Sequence, residues 1–140
     1  MAAERLGALV RTEEQRQAIK VLAMAGAGIG KYPKSPSGID YVYLEGERFT
    51  DEQLAHLRQF DSVKQVTFDH SNLKDEGLRY LSKLRQLKSL SLNHTGISDA
   101  GLIHVEVLVK LKWIDLSNTK VTRNGIARLQ KALPKTKIYS

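Results

Sequence analysis

Two histidines and an aspartate are the residues of this sequence that come nearest to a metal-binding set. His70 and His94 are 24 positions apart, and Asp69 directly precedes the first of them. Imidazole nitrogens and carboxylate oxygens are ligands that zinc and nickel accept. One pair of imidazoles with one carboxylate is nevertheless short of a complete site. We therefore expect these residues to form part of a row of polar side chains on the surface, with no bound metal. If an ion does bind, His70, His94 and Asp69 are the candidate ligands.

A glycine-rich segment, residues 25–31, has some features of a phosphate-binding loop but fails its requirements. Ala25 stands where the motif needs its first glycine, and Tyr32 stands where a Ser or Thr must follow the lysine. The chain has no cysteine, which excludes a thiol nucleophile and a disulfide framework. It also has no G-x-S-x-G turn to present a nucleophilic serine. We therefore expect no enzymatic activity and no cofactor.

The places of these residues follow from a repeat of 24 positions. Aliphatic residues recur at this interval, and the first column consists of Val42, Val66, Leu90, Ile114 and Ile138. Four further columns keep the same interval without insertion or deletion, beginning at Leu44, Phe49, Leu54 and Leu57. A fixed interval of this length is typical of proteins built from stacked structural units.

Each unit has the pattern of a strand followed by a helix. Apolar and polar residues alternate over positions 90–93, which predicts a short strand with one buried face. Later apolar residues, such as Leu78, Leu81 and Leu84, are separated by steps of three or four residues, which predicts a helix that buries one stripe. Because one unit cannot bury its own apolar face, the units must stack with their strands side by side and parallel.

Hydroxyl residues mark the predicted starts of the helices. Thr50 with Gln53 has the pattern of a capping box. Ser98 and Thr122 occupy the same place in later units and are predicted N-caps. The second unit has a lysine at that position, so there we expect Asp75 to act as the cap.

The repeat resembles that of leucine-rich repeat proteins. The third unit reads Leu87-x-x-Leu90-x-Leu92-x-x-Thr95-x-Ile97-x-Asp99-x-Gly101-Leu102, and is similar to the short, helix-bearing units of bacterial members of that family. The resemblance implies an α/β solenoid with parallel strands on the concave face and helices on the convex face. It also implies that the protein binds other molecules. Glu47 and Arg123 depart from the pattern. In the last unit Ala132 and Lys135 replace apolar residues, with Leu133 as the expected compensation.

The segment before the repeats is predicted to cap them. Residues 13–24 have apolar side chains at helical steps, with Thr12 as N-cap and Gly26 as the stop. Residues 27–32 are a predicted strand, and residues 33–38 a loop. We therefore divide one structural domain into an N-terminal helical cap, 1–41, and repeats, 42–140, whose units start at 42, 66, 90 and 114, with a final strand from 138.

The concave strand face is the predicted binding surface, and its ligand is expected to be a protein or peptide. Strand alternation turns one set of side chains outward, and aromatic residues among them are typical of binding hot spots. Trp113, the only tryptophan, either faces outward or packs against Tyr139 or Lys137. The predicted partner-binding residues are Tyr43, Glu45, Thr67, Asp69, Ser91, Asn93, Trp113, Asp115 and Tyr139.

Charge is unevenly distributed along the chain, whose net charge is +7. Residues 42–65 contain three basic and five acidic side chains, whereas residues 114–140 contain six basic side chains and one acidic. The basic last unit suggests nucleic acid or an acidic protein as an alternative partner. Nucleic acid is the less favoured partner because aromatic residues do not accompany the basic cluster.

Location and assembly are predicted from charge and hydropathy. No apolar run is long enough to span a membrane, and residues 1–12 lack the apolar core of a signal peptide. These features predict a cytoplasmic protein with no membrane partner. We expect a monomer, because the basic last unit repels a copy of itself, with an edge-to-edge dimer through the final strand as the alternative.

Overall fold

A computed structural model describes residues 12–35, 38–46 and 49–140. Within these residues, six strands form one sheet in chain order. Their bounds are β1 Gly28–Gly30, β2 Tyr41–Tyr43, β3 Gln65–Thr67, β4 Ser89–Ser91, β5 Trp113–Asp115 and β6 Lys137–Tyr139. β1 is antiparallel to β2, and every later pair is parallel. The protein is therefore an α/β fold with a mostly parallel sheet.

The parallel strands pair with a constant offset of 24 residues. Val42 lies opposite Val66, which lies opposite Leu90, and Ile114 and Ile138 continue the row. The first four of these side chains are fully buried. They belong to one apolar cluster that runs through all the units and includes the second predicted column from Leu44 to Leu116. The aliphatic columns that recur every 24 residues in the sequence therefore form rows of neighbouring side chains in the structure.

Helices connect the strands, and two of them are 3₁₀-helices. The α-helices of the described residues are α1 Glu13–Met24, α2 Asp51–Ala55 and α3 Arg123–Ala132. A 3₁₀-helix, His56–Gln59, continues α2, and the second and third units have only 3₁₀-helices, Asp75–Leu81 and Asp99–His104. The prediction of a helix in each unit is thus confirmed, and its type differs between units.

The apolar steps are compatible with these helix types. In the second unit Leu78 and Leu81, a step of three, are the buried leucines of the 3₁₀-helix, and Leu84 and Leu87 follow in the turns after it. Three residues per turn place Leu78 and Leu81 on one side of that helix. In the last unit Leu129 is followed by Leu133, a step of four, at the C-terminal end of α3.

Helix capping confirms three of the predicted caps and contradicts two. Thr12 with Gln15 and Thr50 with Gln53 both form complete capping boxes. Thr122 accepts a hydrogen bond from the backbone N–H of Gly125, as predicted. Ser98 makes no cap, and its hydroxyl donates to the Asp75 carboxylate. Asp75 does not cap its own helix, whose N-cap is Lys74 without a side-chain bond.

Two aspartates tie successive units together through this hydroxyl position. Asp75, which the sequence suggests as a cap of its own helix, accepts from both the backbone N–H, at 2.7 Å, and the hydroxyl of Ser98. Asp99 accepts in the same way from Thr122, whose N–H lies 2.8 Å from Oδ1. Gly125 faces Asp99 so closely that a β-carbon there would collide with the carboxylate. The small residue is therefore required by the carboxylate of the preceding unit.

The N-terminal segment extends both the core and the sheet. α1 begins and ends as predicted, and it buries Ala18, Ile19 and Leu22 in the common apolar cluster. β1 lies within the predicted strand at 27–32 and pairs antiparallel with β2. Glu47, which departs from the repeat pattern, lies outside the described residues. None of the described helices is long and apolar enough to cross a membrane.

Asp40 joins this segment to the first units. Its side chain is 0% exposed and accepts from the Tyr32 backbone N–H and the Ser35 hydroxyl, each at 2.9 Å. Lys64 completes the site with an ion pair at 3.3 Å. Burial acts to raise the pKa of Asp40, but these hydrogen bonds and the lysine outweigh burial and lower it. The carboxylate is therefore held in its charged form.

The polar substitutions of the last unit are compensated locally. Leu133 is buried beside the vacated positions, as the sequence suggests, while Lys135 points to solvent. The buried Thr136 hydroxyl donates to the Leu111 carbonyl at 2.7 Å. The side-chain amide of Gln130 donates to two carbonyls of the same turn. The unit therefore closes the core with hydrogen bonds as well as apolar contacts.

Replacement of Leu92 by alanine should destabilise the whole domain by about 2–5 kcal/mol, because it opens a cavity between the rows of neighbouring units. The control is Val109→Ala, since that side chain is 76% exposed and should change stability by about 0.5 kcal/mol or less. Urea unfolding measures the free energy of unfolding of both variants. In thermal unfolding, a shift of the Leu92→Ala melting temperature by less than about a degree would contradict the register.

Replacement of Asp40 by asparagine should cost about 1–3 kcal/mol near neutral pH, since the charged acceptor of three hydrogen bonds is lost. The lowered pKa means that the carboxylate stabilises the fold above about pH 4 and that this contribution disappears as the pH falls through the folded-state value. The difference in unfolding free energy between wild type and variant should therefore shrink below about pH 4. A difference that is constant from neutral to acid pH would contradict it, and Asp61→Asn serves as an exposed control.

Candidate functional site

The side chains that point away from the core form one surface across the strands, here called the sheet face. Alternate residues of each strand lie on it, beside the equivalent residues of the next strand. Its strand residues are Tyr41, Tyr43, Gln65, Thr67, Ser89, Ser91, Trp113, Asp115, Lys137 and Tyr139. Most are half-buried or exposed, whereas the middle residues of β2–β5 are fully buried. This is the outward set that the alternation predicts.

Three tyrosines lie together at one end of the sheet face, here called the tyrosine cluster. Tyr41 stacks on Tyr43 with ring centroids 4.9 Å apart, and Tyr32 lies 5.7 Å from Tyr41. The Tyr41 ring reaches over β1, where its hydroxyl occupies the space of a side chain at Gly30. Tyr32 donates to the side-chain carbonyl of Gln65, and burial raises its pKa. The cluster is therefore held rigidly at the edge of the sheet.

A second aromatic pair lies at the other end of the sheet face. Trp113 and Tyr139 meet edge to face, with ring centroids 6.5 Å apart and planes at 78°. Together with Asp115 they line a shallow cleft of about 320 Å³, here called the tryptophan cleft. Trp113 is half-buried and Tyr139 is 52% exposed. Both sequence interpretations of Trp113 therefore hold, because it packs against Tyr139 and still faces outward.

Asp115 is fixed in the tryptophan cleft by two donors. Its Oδ1 accepts from the Ser117 backbone N–H at 2.8 Å, and its Oδ2 accepts from the Asn93 side-chain amide at 3.3 Å. Burial acts to raise the pKa of Asp115, but the bonds from Ser117 and Asn93, with a smaller effect of His94, lower it overall. The cleft thus presents an ionised carboxylate beside two aromatic rings.

The middle of the sheet face is polar and internally hydrogen-bonded. The Asp69 carboxylate accepts from the Ser91 hydroxyl at 2.5 Å and from the Asn93 backbone N–H at 3.1 Å. Ser91 is only 6% exposed, so this predicted binding residue is covered by its neighbour. Thr67 is half-buried and Glu45 is exposed, and both remain on the predicted surface.

The two candidate histidine ligands do lie side by side, at the turns that leave β3 and β4. Their rings stack with centroids 4.3 Å apart and planes at 17°. Asp69 is turned toward β4 by its bonds to Ser91 and Asn93. Among the residues that the structure describes, no group of three or more His, Asp or Glu side chains is placed to hold a metal ion. The geometry therefore brings the imidazoles together without adding a ligand.

The backbone explains why these turns hold such residues. Gly46, His70, His94 and Asn118 occupy the same place in successive units, and all have positive φ, between 55° and 90°. Left-handed backbone is most accessible to glycine and is enriched in Asn and His among other residues. The histidine pair thus satisfies a turn requirement that the sequence prediction did not consider.

Charge is segregated between the two edges of the sheet. The segments that lead into strands β3–β6, residues 56–64, 80–88, 104–112 and 128–136, contain ten Lys or Arg and two acidic residues. The described segments that lead out of β2–β5, residues 44–46, 49–52, 68–76, 92–100 and 116–124, contain three basic and seven acidic residues. The basic character predicted for the last unit is therefore shared by the entry segments of all the units. We call this side the basic edge.

Three lysines form a row at the centre of the basic edge. Lys64, Lys88 and Lys112 directly precede successive strands, and each later lysine donates its backbone N–H to the preceding lysine's carbonyl at 2.8 Å. Lys64 is paired with Asp40. Within the described ranges, neither Lys88 nor Lys112 has an ion-pair partner. Two uncompensated charges therefore lie about 5 Å apart at the level of the backbone.

A larger cleft, of about 410 Å³, lies at the seam between α1 and the first unit. Glu13, Glu14 and Arg58, which help to line it, are all exposed, and Gln15 crosses the seam to bond the Gln59 carbonyl at 3.0 Å. These contacts attach α1 to the repeats, and the cleft brings no nucleophile beside a base.

The sequence prediction missed two members of the tyrosine cluster. Tyr32 lies just beyond β1, outside the repeat, and Tyr41 is absent from the predicted binding residues. The alternation of Tyr41 and Tyr43 around Val42 was the available signal.

Comparison of the sequence with protein-family models and with curated proteins gives no match.

Proposed function

We propose that this protein is a non-enzymatic interaction module of the leucine-rich repeat type, which binds a protein or peptide on its sheet face. The 24-residue offset between paired strands and the one-sided sheet support the repeat assignment. Under this proposal the units form a solenoid, and the sheet face is its concave side.

The observation that carries the proposal is the pair of aromatic groups at the two ends of the sheet face. The tyrosine cluster and the tryptophan cleft both keep ring surface accessible, and a polar, hydrogen-bonded stretch separates them. Trp and Tyr are enriched at binding hot spots, since they bury much area with little loss of conformational freedom. An extended surface of this kind suits a macromolecular ligand better than a small substrate.

Replacement of Trp113 by alanine should weaken binding to a partner captured on the immobilised protein by about 2 kcal/mol or more. Calorimetry with the purified partner measures the affinity. Tyr80→Ala is the matched control, because Tyr80 lies in a 3₁₀-helix away from the sheet face, under the Arg79 guanidinium. If Trp113→Ala leaves the affinity unchanged, the binding surface lies elsewhere.

A second candidate function is polyanion binding by the basic edge. The unpaired row of Lys88 and Lys112 favours it, since stacked like charges repel one another until a counter-charge lies across them. The polyanion proposed here is the phosphate backbone of a nucleic acid, contacted without base stacking because aromatic residues do not accompany the basic cluster. It would approach the edge of the sheet and leave the sheet face free.

The double change Lys88→Gln with Lys112→Gln should lower affinity for a labelled oligouridine and reduce the slope of log affinity against log salt by about 1.4. Fluorescence anisotropy between about 50 and 200 mM salt measures both. The control is Lys74→Gln with Lys120→Gln, which removes the same charge from the opposite edge. Equal losses for the two pairs would show that net charge alone is responsible.

A further inference from the structure

The carboxylates of the sheet face lie at its exit side and in the tryptophan cleft. Among the strand positions of the face, Asp115 is the one acidic residue and Lys137 the one basic residue. Glu45 and Asp69 lie just beyond the ends of β2 and β3. A partner that docks on the tryptophan cleft therefore meets a carboxylate, although the chain as a whole carries +7.

The tryptophan cleft concentrates this charge beside aromatic surface. Asp115 lies two residues from Trp113 on β5 and directly opposite Tyr139 on β6. No ion pair is formed by Asp115 within the part of the chain that the structure describes, although Lys137 lies opposite Trp113 on the neighbouring strand. Asp115 accepts from the backbone N–H and the side chain of Ser117 and from the Asn93 amide. A carboxylate has about four lone-pair sites, so acceptor capacity remains toward the cleft.

We propose that the tryptophan cleft binds a cationic side chain, with a guanidinium preferred over an ammonium, presented by a basic peptide or protein segment. This inference rests on the proposed function and specifies the chemistry of the partner.

The physical basis is the combination of ring and carboxylate in one cleft. Aromatic faces carry negative potential and attract cations placed over them, and tryptophan does so most strongly. A guanidinium is planar, stacks on aromatic rings and offers several N–H donors to a carboxylate at once. Because Asp115 is held in place by Ser117 and Asn93, little side-chain freedom remains to be lost when the guest binds.

The experiment uses Trp113 as its own reporter, because the sequence contains one tryptophan. The fluorescence of the full chain is titrated with a Gly/Ser peptide containing several arginines, and with the same peptide in which citrulline replaces arginine. Citrulline keeps the shape and removes the charge. We expect a saturable change in fluorescence with the arginine peptide and an affinity for the citrulline peptide lower by about tenfold.

The variant Asp115→Asn tests the contribution of the carboxylate while leaving the aromatic rings unchanged. Asparagine keeps an oxygen for the Ser117 N–H, and thermal unfolding verifies that the variant is folded. Its affinity for the arginine peptide should fall about tenfold, whereas Asp61→Asn, an exposed carboxylate off the sheet face, should have no effect.

Equal affinity for the two peptides, an unchanged affinity in Asp115→Asn, or no response of Trp113 to the arginine peptide would each overturn the inference. The proposed function would survive any of these results if Trp113→Ala still weakens binding of the captured partner. If Trp113→Ala binds the captured partner normally while Asp115→Asn loses the arginine peptide, the cation site is supported and the proposed function is contradicted.

Discussion

The backbone register of the parallel strands is the constraint on which the rest of the structure depends. Every parallel strand pairs with its neighbour at an offset of 24 residues, so each side chain lies beside its own equivalent. For aliphatic residues this places like beside like in a continuous core. For polar residues it creates rows, of which the stacked histidines and the row of lysines are examples. The contacts of a strand residue in this protein are therefore set more by the equivalent residues of neighbouring units than by its sequence neighbours.

Much of the fold could be predicted because the period is encoded directly in residue type. Strand positions, the buried columns, helix α1 and three helix caps follow from apolar spacing and hydroxyl placement. Apolar spacing predicted a helix in each unit but not its type, because steps of three and of four both indicate a helix. The bond from Ser98 to Asp75 could not be predicted, because the acceptor belongs to the preceding unit and reasoning on a single unit does not contain it.

The candidate site was predictable in outline only. Alternation placed Trp113, Asp115 and Tyr139 on one surface, since it depends only on period two. It could not show that Ser91 is covered by Asp69, or that Tyr32 joins Tyr41 from outside the repeat, because both depend on side-chain direction. The histidine pair shows a further limit: its residue type follows from a left-handed turn, which apolar spacing does not reveal.

Under the proposed function, the separation of the two aromatic groups sets the length of a partner segment that contacts both. The tyrosine cluster is centred on β2 and Trp113 lies on β5, so three strand spacings, about 14 Å, lie between them. A segment that crosses the strands in extended form would cover this distance with about four residues. Such a partner would contact both groups only if its anchoring side chains have that spacing. Because one unit adds one strand, gain or loss of a unit between the two groups would change the distance by about 5 Å.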